Sequence, residues 1–265
     1  MEPVRGEVAN GSAGVAVSLL FAVVHEAPAD LRTATELADR QLMSSIDWLK
    51  GESDLLNHQR TWVDQSPDGR RLTWKEIKNL ASERDIRAIG FVDGESAELD
   101  CRSARRAVIY LREVFPNLAG IILVRDQDEH PDRRHGLEQA RNAEGIPVPI
   151  VIGLAVVERE AWVIAGYDPI DETEQLAFTE ERRTLGFDPR HRSEELTACK
   201  DDTAKRSPKR VLNALLCGDF ERERRCWTET LLEVLAARGG KNGLQAFLLE
   251  IQTRLAPLIG YVPAE

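Results

Sequence analysis

Three apolar runs, each followed within two residues by an acidic residue, constrain the fold of this chain more than any other feature. The runs cover residues 15–24, 120–124 and 148–157. A segment that is apolar at nearly every position is typical of a parallel strand covered by helices on both faces. The segments between the runs carry apolar residues at helical spacing, so strands and helices alternate. The sequence therefore predicts an α/β fold with a parallel sheet and helices on both faces.

The same spacing predicts the individual elements. Helices are predicted at residues 30–44, 73–84, 97–115, 134–143 and 157–165, further strands at 86–92, 119–125 and 148–155, and a hairpin at 62–73. Beyond residue 170 the strand patterns end, and helical segments are predicted at 207–217, 220–237 and 243–256. The chain is thus divided into an α/β domain at residues 1–170 and a helical C-terminal region at 171–265.

The amino-acid composition and the net charge exclude several classes of protein. The chain has 265 residues, 42% of them hydrophobic and 30% charged, which is typical of a globular protein and not of a disordered one. No apolar stretch approaches the roughly 20 residues of a membrane span, so no membrane partner is expected. The net charge of −10 argues against non-specific nucleic-acid binding over the whole surface. Four cysteines without a C-x-x-C pair predict reduced thiols in a cytoplasmic protein.

The acidic residues after the three runs predict a metal site. They are Glu26 and Asp30 after the first run, Asp126 and Asp128 after the second, and Glu158 and Glu160 after the third. Ligands of open α/β sheets bind beyond the carboxyl ends of the strands, where these side chains would meet. Gathered carboxylates repel one another unless a cation neutralises them, and hard oxygen ligands suit Mg²⁺ or Mn²⁺. The pattern indicates phosphodiester chemistry.

Two of these segments resemble the motifs of a known family. The segment Glu26-Ala27-Pro28-Ala29-Asp30 resembles the E-G-P-[ST]-[DE] start of a Toprim domain, the topoisomerase–primase metal fold. Asp126-Gln127-Asp128 resembles the D-x-D motif of that domain. The resemblance covers roughly residues 15–165 and implies a Toprim-like parallel sheet. Since about 100 residues separate the two motifs, it also implies an insertion at about residues 46–87.

A subgroup of small stand-alone Toprim-like proteins is similar to this chain over two further segments. Residues 158–162 resemble its E-x-E-A-W/L segment, and residues 207–209 resemble its P-K motif. Members of this subgroup are related to the OLD nucleases and are often companions of an ATPase in bacterial anti-phage defence loci. The resemblance implies a nuclease that is the effector of a two-component system, with a partner ATPase and a DNA or RNA substrate. It is also compatible with a homo-oligomer.

The resemblance also implies roles for individual residues. Asp126 and Asp128 would hold Mg²⁺ or Mn²⁺, Glu26 would act as a ligand or as the general acid or base, and Glu158 or Glu160 would complete a second metal position. Lys209 would neutralise charge developing on the phosphate. From the residues alone, Ser207 and Pro208 predict a helix start at which Arg206, Lys209 and Arg210 would bind a substrate phosphate. These roles describe the expected site of the nuclease.

Each segment also has a simpler interpretation. A D-x-D sequence is common in strand-end loops that form Asx-turns, and Asp30 is a plausible helix N-cap. Glu158 and Glu160 flank a predicted helix start, where the helix dipole favours carboxylates. Ala27 replaces the usual glycine of the motif, so the turn there must avoid positive φ. The alternative function is therefore a non-catalytic Toprim-like subunit that docks onto a partner ATPase, and a topoisomerase- or primase-type enzyme is the weaker third hypothesis.

Overall fold

The computed structural model describes residues 18–88, 90–92, 94–197 and 201–260. Within these residues the strands are β1 (Leu19–Val24), β2 (Arg60–Val63), β3 (Phe91–Val92), β4 (Glu95–Ser96), β5 (Leu118–Asp126) and β6 (Ile150–Ala155). The first helices are α1 (Pro28–Ser45), α2 (Ser53–Gln59), α3 (Trp74–Glu83), α4 (Cys101–Val114), α5 (Arg133–Asn142) and α6 (Arg159–Ala165). The C-terminal helices are α7 (Glu172–Leu185), α8 (Pro208–Leu216), α9 (Phe220–Thr228), α10 (Leu232–Arg238), α11 (Leu244–Glu250) and α12 (Ala256–Ile259).

Four strands form a parallel sheet in the order β2-β1-β5-β6. The two central strands, β1 and β5, are buried over most of their length, as the near-continuous apolar runs predict. Strands β3 and β4 form a separate antiparallel pair. The predicted α/β class, with a parallel sheet followed by a helical C-terminal region, is confirmed.

Helices cover both faces of the sheet because successive strand residues point to opposite sides. Ala22, Ile121 and Ile152 face one core, which α3, α4 and α5 complete. Phe21 and Ile122 face the other core, which α1, α6 and the C-terminal helices complete. The helical C-terminal region therefore packs directly against the sheet and shares its core.

Close approach of the C-terminal segment depends on a glycine in the central strand β5. A Cβ atom on Gly120 would lie 2.9 Å from a ring carbon of Phe21 and 3.0 Å from Cδ2 of Leu255. Leu255 belongs to a π-helical turn, Ile251–Leu255, that joins α11 to α12. A side chain at position 120 would force Phe21 or Leu255 to shift, so glycine favours the close packing of this turn on the sheet.

The structure corrects three predicted elements. The segment around Trp62 is the parallel edge strand β2, and the predicted hairpin is reduced to its turn. An antiparallel bridge joins Gln65 to Arg71 across this turn, and the Ser66 and Leu72 N–H groups donate to Arg70 O and Asp64 O. Among the described residues of the predicted core strand 86–92, only Phe91–Val92 pairs, and it does so outside the main sheet. The helix predicted at 220–237 is two helices, α9 and α10, and helix α7 was not predicted. Residues 15–17 of the first predicted strand lie outside the described residues.

Candidate metal and phosphodiester site

The three acidic segments lie at the same edge of the sheet. Strands β1, β5 and β6 are neighbours and parallel, so their carboxyl ends coincide: Val24 pairs with Leu123, and Asp126 pairs with Ala155. Two backbone hydrogen bonds extend this pairing past the strands, from Gln127 N–H to Ala155 O (2.7 Å) and from Asp128 N–H to Val157 O (2.9 Å). The D-x-D loop is thereby fixed beside the loop that carries Glu158.

The first acidic segment forms the start of α1. Ala27 is the N-cap with φ −136°, an extended conformation that alanine adopts without strain, so the missing glycine is accommodated. Asp30 is not the N-cap; its Oδ2 accepts a hydrogen bond from the Ala27 N–H at 2.7 Å, three residues back. Glu26 therefore precedes a rigid helix start, with its side chain 35% exposed.

Asp126 lies among the carboxylates of the three acidic segments, and we call this group of carboxylates the acidic centre. Its Oδ1 accepts a hydrogen bond from the Arg159 N–H at 2.8 Å, so it bridges to the third segment and does not form an Asx-turn within its own loop. Among the described residues no cation forms an ion pair with it. Burial and the neighbouring carboxylates of Asp30 and Glu160 raise the pKa of Asp126 to about 9. The charge gathered here is therefore incompletely neutralised by the protein.

The other acidic side chains have cationic neighbours. The shortest contacts are Arg133–Asp128 at 2.8 Å, Arg125–Glu26 at 3.4 Å, Arg159–Glu160 at 3.5 Å and Lys209–Glu158 at 3.8 Å. Burial raises the pKa of the Glu26 carboxyl although Arg125 opposes the shift. Arg125 and Arg133 also share Asp100, at 3.2 and 2.6 Å. The centre is thus acidic with a ring of arginines around it, and sequence patterns predicted the acids but not the arginines.

The loop that carries Glu158 departs from ordinary backbone geometry. Val157 has φ +75° and Asp128 has φ +51°, and the two residues are joined by the backbone hydrogen bond described above. A β-branched residue in the left-handed region is a rare conformation that costs on the order of 1–3 kcal/mol. Such strain is concentrated at functional sites, where the surrounding structure imposes it. No sequence signal reveals it.

Glu158, in the third acidic segment, lies at a helix start, but helix capping does not explain its side chain. It occupies the N-cap position of α6 without any capping hydrogen bond from its side chain. Its Oε2 atom is buried and has no hydrogen-bond partner among the described residues. Burial raises the pKa of this carboxyl, and Lys209 opposes the shift. A buried carboxylate oxygen without a hydrogen-bond partner is available as a ligand for a cation.

The chemistry of the donors fits a divalent cation. All are carboxylate oxygens, which suit Mg²⁺ or Mn²⁺, and Asp126 and Glu158 both retain oxygen atoms that no cation pairs closely. Within the described part of the chain, however, no three His, Cys, Asp or Glu side chains are arranged to hold a metal ion as they stand. Asp128 and Glu158 instead face Arg133 and Lys209.

The three predicted phosphate ligands lie in different surroundings. Helix α8 begins as expected, with the Ser207 Oγ accepting from the Arg210 N–H at 3.4 Å. Lys209 lies beside the acidic centre, and its carboxylate neighbours, outweighing burial, raise its pKa. The Arg210 guanidinium is bound to Glu181 of α7, while that of Arg206 lies over the Phe187 ring at 5.5 Å. The structure therefore brings only Lys209 to the acidic segments.

Comparison of the chain with protein-family models, with curated proteins and with solved structures found no match in any of the three. In residues 18–260, as far as they are described, no helix has the length and apolar composition needed to cross a membrane.

Proposed function

We propose that the chain is a metal-dependent nuclease that hydrolyses phosphodiester bonds at the acidic centre. The observation that carries the proposal is Asp126, a carboxylate enclosed by other carboxylates, with a pKa raised to about 9 and no cation paired with it among the described residues. A bound divalent cation would displace the proton that this pKa implies at neutral pH and would neutralise the ionised carboxylates. Perturbed titrating groups gathered at one site are typical of functional centres.

Five residues are proposed to hold Mg²⁺ or Mn²⁺. They are Glu26, Asp126, Asp128, Glu158 and Glu160. When bound, the cation would supply charge stabilisation at the phosphate and lower the pKa of a coordinated water. Ligation requires Asp128 and Glu158 to turn from Arg133 and Lys209, which are then released to interact with the substrate.

The remaining chemistry is assigned to protein groups. The Arg159 N–H fixes the orientation of Asp126 through the hydrogen bond at 2.8 Å. Lys209 would bind a non-bridging oxygen of the scissile phosphate, where a cation stabilises developing charge. The Glu26 carboxylate would accept the proton of the attacking water, a role that its raised pKa favours.

The system-level proposal rests on the resemblance to stand-alone Toprim-like proteins. The motifs at residues 26–30, 126–128 and 158–162 all belong to segments that lie at one edge of the sheet. On this basis we propose a Toprim-like effector that acts with a partner ATPase in anti-phage defence. The substrate class is DNA or RNA.

A cleavage assay tests the proposed activity. The full chain, alone and with any neighbouring ATPase and nucleotide, is incubated with labelled DNA and RNA in Mn²⁺ or Mg²⁺. Asp128→Ala is expected to abolish cleavage without unfolding the chain, because Asp128 is exposed and fills no core volume. Lys209→Ala is expected to slow cleavage while leaving metal affinity nearly unchanged, and Glu172→Gln, on an exposed helix start, serves as the matched control. Cleavage that survives in Asp128→Ala would contradict the assignment.

The second candidate is a non-catalytic subunit that docks onto a partner ATPase. The ion pairs of Arg133 with Asp128 and of Lys209 with Glu158 favour it, because they neutralise part of the cluster without a metal. A complex that cuts neither DNA nor RNA, and in which Asp128→Ala still protects cells against phage, would support this candidate and exclude the nuclease.

A further inference from the structure

A cleft beside the acidic centre has basic side chains at half of its eight lining residues. It has a volume of about 380 Å³, and its walls include Lys75, Lys78, Arg106 and Arg125, with Glu26 at its edge. Ligand sites of proteins commonly start at roughly this size, about 300 Å³. Since Glu26 and Arg125 belong to both the cleft and the acidic centre, the two sites adjoin.

Two helices form the walls of this cleft. Lys75 and Lys78 are three residues apart on α3, and Ser103 and Arg106 are three residues apart on α4, so each pair presents one helix face. Helices α3 and α4 pack against each other on the same side of the sheet. Lys75 lies in the first turn of α3, where the positive end of the helix dipole disfavours cations and favours anions.

The cations of the cleft lack acidic partners. Lys75, Lys78 and Arg106 form no ion pair with any residue that the structure describes, although arginines elsewhere in this acidic chain are commonly paired. Like charges held on facing helices repel one another and destabilise the fold slightly. A surface that keeps such a cluster unpaired in a chain of net charge −10 is suited to an anion.

The floor of the cleft is rigid. The Trp74 indole Nε1–H donates to Val124 O at 2.7 Å, which fixes the ring at the end of β5. The Arg125 guanidinium lies over that ring, with its central carbon 4.8 Å from the ring centroid, and is held by Asp100 at 3.2 Å. Arg125 is therefore preorganised between the cleft and Glu26, where it can contact a phosphate without losing much side-chain freedom.

We propose that this cleft binds the phosphate backbone of a single nucleic-acid strand, one or two nucleotides from the phosphate that is cut. The inference rests on the proposed nuclease function and assigns the path of its substrate. Because about 380 Å³ accommodates roughly one nucleotide unit, only one strand fits within the cleft, and the proposed substrate is single-stranded. Lys75, Lys78 and Arg106 contact its phosphates, and Arg125 links this contact to the acidic centre.

Binding of short oligonucleotides tests the inference without requiring cleavage. Fluorescence anisotropy with the full chain, in EDTA, compares a labelled 12-nucleotide single strand of DNA, the same strand of RNA and the corresponding duplex. The test variant combines Lys75→Ala, Lys78→Ala and Arg106→Ala. The control combines Lys50→Ala, Arg183→Ala and Lys241→Ala, which removes the same number of exposed cations outside the cleft. Thermal melts establish that both variants fold.

The single strand is expected to bind wild-type protein and the control more tightly than the duplex does. The test variant should weaken single-strand binding at least tenfold at about 0.1 M salt. Removing three phosphate contacts should reduce the slope of log affinity against log salt by about 2, since each contact to a single strand contributes about 0.7. Equal affinities and slopes for the test and control variants, or no binding by wild-type protein, would overturn the inference.

Cleavage assays separate this inference from the function on which it rests. If wild-type protein cuts and the test variant cuts with unchanged KM, the cleft is not the substrate path, although the nuclease proposal stands. If the test variant loses strand binding while no form of the protein cuts any substrate, the cleft is a nucleic-acid site and the nuclease proposal fails.

Discussion

Replacing Asp126 by asparagine is expected to stabilise the metal-free protein. Asparagine keeps the Oδ1 acceptor that the Arg159 N–H uses at 2.8 Å, but it carries no charge. The Asp126 carboxyl has its pKa raised from 3.8 to about 9, so at neutral pH the folded protein holds a proton there that the unfolded chain releases. Folding of the wild type must therefore take up a proton, whereas folding of Asp126→Asn does not.

The size of the effect follows from the pKa. A group whose pKa is raised on folding loses stability as pH rises above its unfolded pKa, by about 1.4 kcal/mol per pH unit until the folded pKa is reached. Between 3.8 and 7 this amounts to on the order of 4 kcal/mol, and relaxation around the site reduces it to about half. We therefore expect Asp126→Asn to be more stable by about 2–4 kcal/mol at pH 7, and by less than half of that at pH 5.

Urea denaturation in EDTA and a reductant, at pH 5, 7 and 8.5, measures this difference. Asp128→Asn is the matched control from the same motif: it loses the Arg133 ion pair of 2.8 Å and should be less stable by up to about 1 kcal/mol. With Mn²⁺ present the order reverses, because the cation binds the ionised wild-type carboxylate and stabilises only that protein. Equal unfolding free energies for wild type and Asp126→Asn at every pH would refute the reasoning.

Two further substitutions test a close backbone contact and a buried ion pair. Gly136→Ala should destabilise the chain by about 3 kcal/mol or more, because the new Cβ would lie 1.7 Å from the Leu99 backbone oxygen. The control Gly90→Ala has open space around its Cβ and should change the stability little. The midpoints of urea denaturation measure both effects. Arg210→Ala should lower the stability by about 2–3 kcal/mol, since it leaves the buried Glu181 without its partner. It should leave the affinity for a single strand unchanged. An affinity, measured by anisotropy, that falls as much as in Lys209→Ala would show that Arg210 binds the substrate.

The sheet could be predicted because its strands are covered on both faces. Burial leaves an apolar run in the sequence, and the acidic residues after residues 24, 125 and 157 then mark one edge of a parallel sheet. The edge strand β2 could not be read in this way. It is short and only partly buried, and the turn residues after Trp62 resemble a hairpin.

The positions of the arginines around the carboxylates could not be predicted from the sequence. Arg125 meets Glu26 and Arg159 meets Asp30 only through the tertiary fold, although both arginines are adjacent in sequence to acidic residues of the site. A single sequence shows them as ordinary charged residues among 35 lysines and arginines. The positive φ of Val157 has no local signal, because tertiary contacts impose it. Helix starts are local, and the cap of α8 at Ser207 was accordingly predicted.

Anomalous diffraction from crystals soaked in Mn²⁺ tests the central claim most directly. The account predicts a strong anomalous peak at the acidic centre, about 2.0–2.3 Å from oxygen atoms of Asp126 and of at least two more of the five proposed ligands. The same peak should be absent from Asp126→Asn crystals of the same form. A wild-type crystal with no anomalous peak among these carboxylates, still neutralised by Arg133 and Lys209, would contradict the metal site and the nuclease built on it.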